Sequence, residues 1–376
     1  MSQKLSEEEK ALLKLNASAG LRGEWLRRMI SFYGGALGLL GRGPSVLEKD
    51  FGLQPGVAEG LFKRAADFDT GRELEEAEKL GVRLLFEKSG EYPALLRDIS
   101  DPPPVLYISG RIPSAPCVAL VGTRRPTSYG ARTAFGLARD AAAAGAAVVS
   151  GLARGIDTFS HKGALEACGP TVAVLGTGLG RIYPRENTAL ASRIAASGGA
   201  VISEFPLETG GIPGNFPRRN RIISGMSYAV VVVEGSYSSG SMITAKCALE
   251  QGREVLAVPG QVGCPVSAGP NYLIKNGAAM AETAEDILMS LPAGTLPALK
   301  KKSPESKAPA PSVLSGLSPD AGQVYAELRD SDSGKGLTAE ELAVKLSWQP
   351  GRTSAAIFEL ETSLLITLFG ARYVMR

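Results

Sequence analysis

Six short apolar runs recur through the middle of this sequence: Cys117–Val121, Ala147–Val149, Thr171–Leu175, Ala200–Ile202, Ala229–Val233 and Glu254–Val258. Helical stretches lie between them, among them Tyr129 to Ala144, Asn187 to Ala196 and Met242 to Gln251. Strands that alternate with helices build βαβ units and a parallel sheet. The runs are apolar throughout and do not alternate with polar residues, as in strands covered by helices on both faces. The expectation is an α/β core over residues 105–290.

The flanks differ in composition. At 376 residues the chain is long enough for two or three domains. Residues 1–100 are rich in Leu, Ala, Glu, Lys and Arg, with helices expected over Glu7 to Leu15 and Val57 to Leu80. Glycines punctuate the space between them. The segment from Phe51 to Gly60 has the look of a helix-hairpin-helix turn, whose amides can face a DNA phosphate. A plain helical bundle with glycine turns is the simpler account of it. Residues 291–315 are rich in proline and contain Lys300, Lys301 and Lys302, the composition of a flexible linker. Over 316–376 the pattern gives helices at Ala321 to Leu328, after a Thr338–Glu341 capping box, and at Arg352 to Ser363. A hairpin comes last, so this unit is similar to a winged helix-turn-helix.

Charge and rare residues exclude whole classes. Forty-one Lys and Arg stand against 38 Asp and Glu, a net charge of +3, so a polyanion would need a local basic patch. A single histidine, His161, excludes His-rich metal sites, and no metal is expected. Cys117, Cys168, Cys247 and Cys264 form no Cys-x-x-Cys pair and no disulfide framework, which fits a reducing cytoplasm. The polar, acidic start is not a secretory signal, and no apolar run approaches the ~18 residues of a membrane helix. A cytoplasmic protein without membrane contact is expected.

The chemistry lies in the segments just past these runs: Gly122-Thr-Arg-Arg-Pro, Ser150-Gly-Leu-Ala-Arg-Gly-Ile-Asp157, Gly176-Thr-Gly-Leu-Gly, Ser203-Glu204 and later Phe216-Pro-Arg-Arg-Asn-Arg221, then Glu234-Gly-Ser-Tyr-Ser-Ser-Gly-Ser241. In an open α/β sheet these loops gather at the carboxyl ends of the strands, where ligands bind. Small residues let backbone amides approach an anion, and helix N-termini add positive dipole ends. Arg124, Arg125, Arg218, Arg219 and Arg221 add planar donors suited to phosphate. The edge is therefore expected to hold phosphate.

Familiar nucleotide and nucleophile patterns fail. Gly176-Thr-Gly178 meets Arg181 where the dinucleotide fingerprint needs its third glycine, and no acidic residue stands near position 196. Gly235 and Gly240 have Walker spacing, but Ser241 and Met242 replace the Lys and the Ser/Thr, removing the clamp on the outer phosphates. No nucleotide cofactor is expected. Ser239 and Ser241 have only His161 as a conceivable base, and packing within its helix is the simpler role for that histidine. Glu204 and Glu234 are expected to pair with arginines, and Asp157 to cap its helix.

Taken together, the loops resemble the DNA-processing protein A (DprA, or Smf) family. The resemblance rests on Val118-Ala-Leu-Val-Gly-Thr-Arg-Arg, Ser150 to Asp157 with His161, Val172-Ala-Val-Leu-Gly-Thr-Gly, Tyr183-Pro, Ile202-Ser-Glu-Phe-Pro, Phe216-Pro-Arg-Arg-Asn-Arg-Ile-Ile-Ser, Ser239-Gly-Ser-Met-Ile-Thr-Ala and Val258-Pro-Gly, in order over about 105–290. It implies a Rossmann-like core, a sterile-alpha-motif-like or helix-hairpin-helix N-terminal domain and a C-terminal winged helix. It further implies a homodimer that binds single-stranded DNA, protects incoming strands and loads the RecA recombinase in natural transformation, without catalysis. By the same resemblance Gly122, Thr123, Arg124 and Arg125 contact phosphate, together with Ser150 and Gly151. Lys162, Arg218, Asn220 and Arg221 line the basic pocket, while Ser239, Gly240 and Ser241 supply donors. Gly180 and Gly235 stand where the family often has acidic and alanine residues, so side-chain roles do not carry over there.

Single-strand binders also stack bases, and Tyr129, Phe159, Phe216 and Tyr237 are the candidates. Two other readings compete. A phosphoribohydrolase of the lysine-decarboxylase-like LOG group would need a Pro-Gly-Gly start and a helical glutamate that Gly235 to Ile243 lacks. A transcription regulator would use the winged helix on duplex DNA.

Overall fold

A computed structural model describes residues 4–18, 23–292, 294–295, 317–330, 336–363, 365–369 and 372–375. Contacts divide the chain into two units, Met1–Leu299 and Lys300–Arg376.

The larger unit opens with six helices, α1 (Glu7–Ala17), α2 (Gly23–Phe32), α3 (Ala36–Leu40), α4 (Pro44–Phe51), α5 (Val57–Asp67) and α6 (Thr70–Lys79). Ser6 and Glu9 form a capping box at the start of α1. The single helix expected from Val57 to Leu80 is two helices. Phe68 is extended, and the Asp69 carboxylate accepts from the amides of Gly71 and Arg72, which starts α6 afresh.

The chain continues through β1 (Arg83–Phe86), α7 (Ala94–Arg97), β2 (Val105–Gly110), β3 (Cys117–Val121), α8 (Ser128–Ala143), β4 (Ala147–Ser150), α9 (Ile156–Glu166) and β5 (Thr171–Val174). Then come α10 (Thr188–Ala196), β6 (Ala200–Ser203), α11 (Asn215–Gly225), β7 (Ala229–Val232), α12 (Gly240–Glu250), β8 (Glu254–Ala257), α13 (Ala268–Lys275), β9 (Ala279–Met280) and α14 (Ala284–Met289).

These strands form one nine-stranded sheet in the order β1-β2-β6-β5-β4-β3-β7-β8-β9. From β6 to β9 all neighbours are parallel, whereas β2 is antiparallel to both β1 and β6. All six expected runs are strands of this sheet. β1 and β2 extend it back to Arg83, inside the region that composition sets apart as 1–100.

Alternate residues explain why the runs are apolar throughout. Val118 and Leu120 of β3 pack with Ala134, Leu137 and Ala138 of α8, whereas Ala119 and Val121 pack with Ile222 and Ile223 of α11. Toward the β1 edge, Tyr107 and Val105 pack with Leu13 of α1, Ala77 of α6 and Ile194 of α10. The N-terminal helices therefore supply part of the cover of the sheet.

The smaller unit contains α15 (Pro319–Asp330), α16 (Ala339–Leu346), α17 (Pro350–Thr362) and the antiparallel pair β10 (Ile366–Phe369) and β11 (Arg372–Met375). The Thr338–Glu341 capping box is present, and Val324, Leu342, Ile357 and Leu360 form the core. The stretch read as a linker, 291–315, lies for the most part outside the described residues. Among those described, no helix is long and apolar enough to cross a membrane.

Candidate phosphate-binding rim

From β3 the chain winds outward through β4, β5 and β6, then returns to place β7 on the other side of β3. The sheet thus reverses its winding between β3 and β7, and ligands of such sheets bind in the crevice beyond the carboxyl ends there. A cavity of about 250 Å³ occupies that place. Gly122, Thr123 and Arg124 form one wall, Ser239, Gly240 and Ser241 another, and Ala153, Asp157, Arg219 and Asn220 complete it.

Backbone packing sets the shape. A Cβ on Gly122 would lie 2.5 Å from Ile156 and 2.8 Å from the Glu234 carbonyl, so only glycine lets these loops meet. The Thr123 amide donates to that same carbonyl at 2.7 Å. Ser239 is the N-cap residue of α12 and makes no side-chain capping bond. Its hydroxyl instead lies 2.7 Å from that of Ser241. The first amides of α12 therefore keep their donor capacity toward the cavity, with the positive end of the helix dipole behind them. Asn220 steadies this turn by donating from Nδ2 to the Gly240 carbonyl at 3.1 Å.

Beneath the rim lies a buried polar network. Asp157 is not the cap of α9; Gly155 holds that position. The Asp157 carboxylate instead accepts from the amides of Gly151 at 3.1 Å and Ala153 at 3.3 Å, fixing the loop after β4. Burial pushes its carboxyl up, opposed by Arg219 and by those amides. Arg219, named at the sequence level only among the arginines of its loop, donates from Nη1 to the carbonyls of Gly151, at 2.6 Å, and Val174. Burial brings its guanidinium down to about 10, so it stays charged at neutral pH.

Of the expected contact residues, Gly122, Thr123, Arg124, Asn220, Ser239, Gly240 and Ser241 meet at the cavity. Arg125 is exposed just beyond it. Gly151 lines a small adjoining hollow with Arg124, Tyr183 and Phe216. Ser150 is buried under the loop, where its hydroxyl donates to the Leu120 carbonyl at 2.7 Å. Lys162 sits in the middle of α9 with its ammonium 5.9 Å from the Phe159 ring, away from the cavity wall. Arg218 and Arg221 both bond Glu204, at 3.0 and 2.5 Å, and Arg221 also pairs with Asp101 at 3.2 Å. These two cations secure a buried carboxylate, as expected for Glu204. Among the described residues Glu234 takes no arginine: it accepts from the Thr127 amide at 2.9 Å and the Thr127 hydroxyl at 2.5 Å, at the start of α8.

Arg124 has no ion-pair partner among the described residues. Its guanidinium lies 5.4 Å over the Phe216 ring, which is 5.6 Å from the ring of Tyr183. Tyr183 is 43% exposed and was not among the stacking candidates; its position beside Phe216 depends on tertiary packing. Of the other candidates, Tyr129 donates to the Pro259 carbonyl at 3.0 Å, Phe159 packs on the core, and Tyr237 is exposed, edge-on to Tyr272.

His161 is wholly buried and 2.8 Å from the Thr171 hydroxyl. That hydroxyl donates to the Val148 carbonyl, so Nδ1 carries the proton and Nε2 does not. Burial, then Arg219, pushes the imidazole down to about 3. Among the described residues no group of three or more His, Cys, Asp or Glu side chains gathers as around a metal.

This is a doubly wound α/β protein with backbone amides, hydroxyls and the Arg124 guanidinium converging at its switch point. The sequence model of DNA recombination-mediator protein A matches residues 83–292, more than half of the chain. Protein Smf of Escherichia coli is 47% identical over 205 residues, covering 54% of this chain and 55% of that one. DNA processing protein DprA of Bacillus subtilis is 44% identical over 224 residues, 59% of this chain and 75% of that one. The structure of DprA from Streptococcus pneumoniae superposes on 77% of this chain and 99% of its own, with a TM-score of 0.65 and 31% identity. DprA from Helicobacter pylori, whose structure was described for its single-stranded DNA binding mode, covers 56% of this chain and 94% of its own, with a TM-score of 0.50 and 29% identity. The chain belongs to the DNA recombination-mediator protein A family, the DprA/Smf proteins.

Proposed function

We propose that this protein binds single-stranded DNA at the rim between β3 and β7 and breaks no bond there. One observation carries the reading: the uncapped N-terminus of α12 and the Gly122 loop face each other across the cavity, with Arg124 beside the Phe216 and Tyr183 rings. Amides and a guanidinium suit phosphate, and the adjacent rings suit a base. The single-strand binding of the H. pylori relative supports the same ligand. On this reading Gly122, Thr123, Arg124, Ser239, Gly240 and Ser241 contact the strand directly. Asn220, Gly151 and Ser150 shape the loops. Arg125 and Lys162 act at longer range, and Arg218 and Arg221 hold Glu204.

The wider role is that of the family: a homodimer that shields incoming strands and loads the RecA recombinase. Residues 1–100 then serve as an accessory helical domain, 105–290 as the DNA-binding core and 316–376 as a winged helix. Titrating labelled single strand against duplex across a salt series tests the reading. A preference for single strand, with a slope set by a few phosphates, supports it. Equal affinity for duplex, or turnover of a nucleoside monophosphate by the pure protein, would overturn it.

A further inference from the structure

The N-terminal helices carry an exposed aromatic and cationic stripe distinct from the rim. Trp25, Arg28 and Phe32 stand at i, i+3 and i+7 of α2 and so share one face, while Leu26 and Met29 point into the core. Trp25 is 37% exposed and Phe32 65%. Seven residues at about 1.5 Å each separate the two rings by about 10 Å along the helix. Phe32 continues into a cluster, its ring 5.0 Å from Tyr33 and 5.3 Å from Phe51.

Two guanidiniums lie against these rings, Arg28 at 5.3 Å from Trp25 and Arg42 at 5.5 Å from Tyr33. Of the neighbouring carboxylates, Glu87 pairs with Arg27 at 3.0 Å, and Asp50 lies within the cluster, where it accepts from the Tyr33 hydroxyl at 2.7 Å. Glu24 is exposed next to Trp25. Arg28 and Arg42 have no ion-pair partner among the described residues. A guanidinium whose face covers a ring still offers its edge to phosphate.

We infer that this stripe is a second contact for single-stranded DNA, with bases stacking on Trp25 and Phe32 and phosphates meeting Arg28 and Arg42. Interleaved rings and cations are the composition of a single-strand platform. The 10 Å spacing corresponds to about three nucleotide steps for a strand that keeps the ~3.4 Å rise of a stacked duplex strand. The inference rests on the proposed single-strand function.

The chain has two tryptophans, Trp25 and Trp348. In full-length protein carrying Trp348→Phe, emission therefore reports on Trp25 alone. Titration with labelled oligothymidylate, read by anisotropy and by tryptophan emission together, should show Trp25 quenched as the strand binds. Phe32→Ala should weaken binding at least about fivefold, the lower end of a lost stacking contact. Binding without quenching, and without an effect of Phe32→Ala, overturns the inference and leaves the rim reading intact. That is the result expected of a stripe that docks a protein. Absence of strand binding altogether overturns the single-strand reading, and this inference with it.

Discussion

Arg219 Nη1 donates to the Gly151 carbonyl at 2.6 Å from a guanidinium that is almost wholly buried. The same nitrogen reaches Val174, so one side chain of α11 ties together the ends of β4 and β5. Its charge faces Asp157, whose carboxylate holds the amides of the same loop. The rim stands on this internal cross-brace.

Replacing Arg219 with Met keeps most of its volume but leaves the Gly151 carbonyl and the Asp157 carboxylate without their cation. Removing one partner of a buried charged pair costs about 3–5 kcal/mol, and Arg219→Met should lower unfolding stability by about 3 kcal/mol. Urea denaturation measures it. A change under about 1 kcal/mol would show that the brace does not support the fold.

Arg124→Ala should leave stability unchanged, because the side chain is exposed, and weaken single-strand binding. Loss of one phosphate contact also flattens the log–log salt slope by about 0.7. Gel shifts at several salt concentrations read both quantities. An unaltered slope would place the strand elsewhere.

Gly122→Ala should damage the rim through shape alone. Its Cβ would meet Ile156 and the Glu234 carbonyl at distances no side chain tolerates, so β3 and β7 must part slightly. Overpacking of this kind costs about 1–3 kcal/mol. The same variant should bind strand more weakly, and thermal melting with filter binding tests both effects.

His161 gives the protein an acid-sensitive centre. The folded state holds it near 3, against about 6.5 unfolded, so the folded state binds fewer protons. Stability is therefore full above about 6.5 and is lost as pH falls toward 3. Between pH 7 and 5 the loss from this group is about 2 kcal/mol, at about 1.4 kcal/mol per pH unit. His161→Asn keeps a donor toward Thr171 and should lack this loss. Urea midpoints of both proteins at pH 7 and 5 decide it, and parallel changes in the two would sink the idea.

The six central strands were legible because burial on both faces leaves no polar position in a run such as Ala229–Val232. β1 and β2 were not, since Arg83 opens one and Pro102 to Pro104 precede the other, and their place depends on pairing of β2 with the distant β6 and of β1 with β2. The Asp69 cap was readable in principle from Asp-Thr-Gly, but helical composition on both sides masked it. At the rim, the Gly- and Ser-rich loops were readable from their place just past the apolar runs, while the individual residues within them came from the family resemblance. Pairing of Glu204 with arginines was legible as well, but not that Arg218 and Arg221 both serve it and so turn from the pocket wall.

At Gly122 the main chain abuts the Ile156 side chain and the Glu234 carbonyl, and at Gly178 it abuts the Pro206 and Leu207 carbonyls. The Gly122 wall of the cradle is thus set by peptide units, with side chains such as Arg219 completing the rest. Exposed residues such as Arg125 can drift in size without reshaping that wall, whereas one added carbon at Gly122 redraws it.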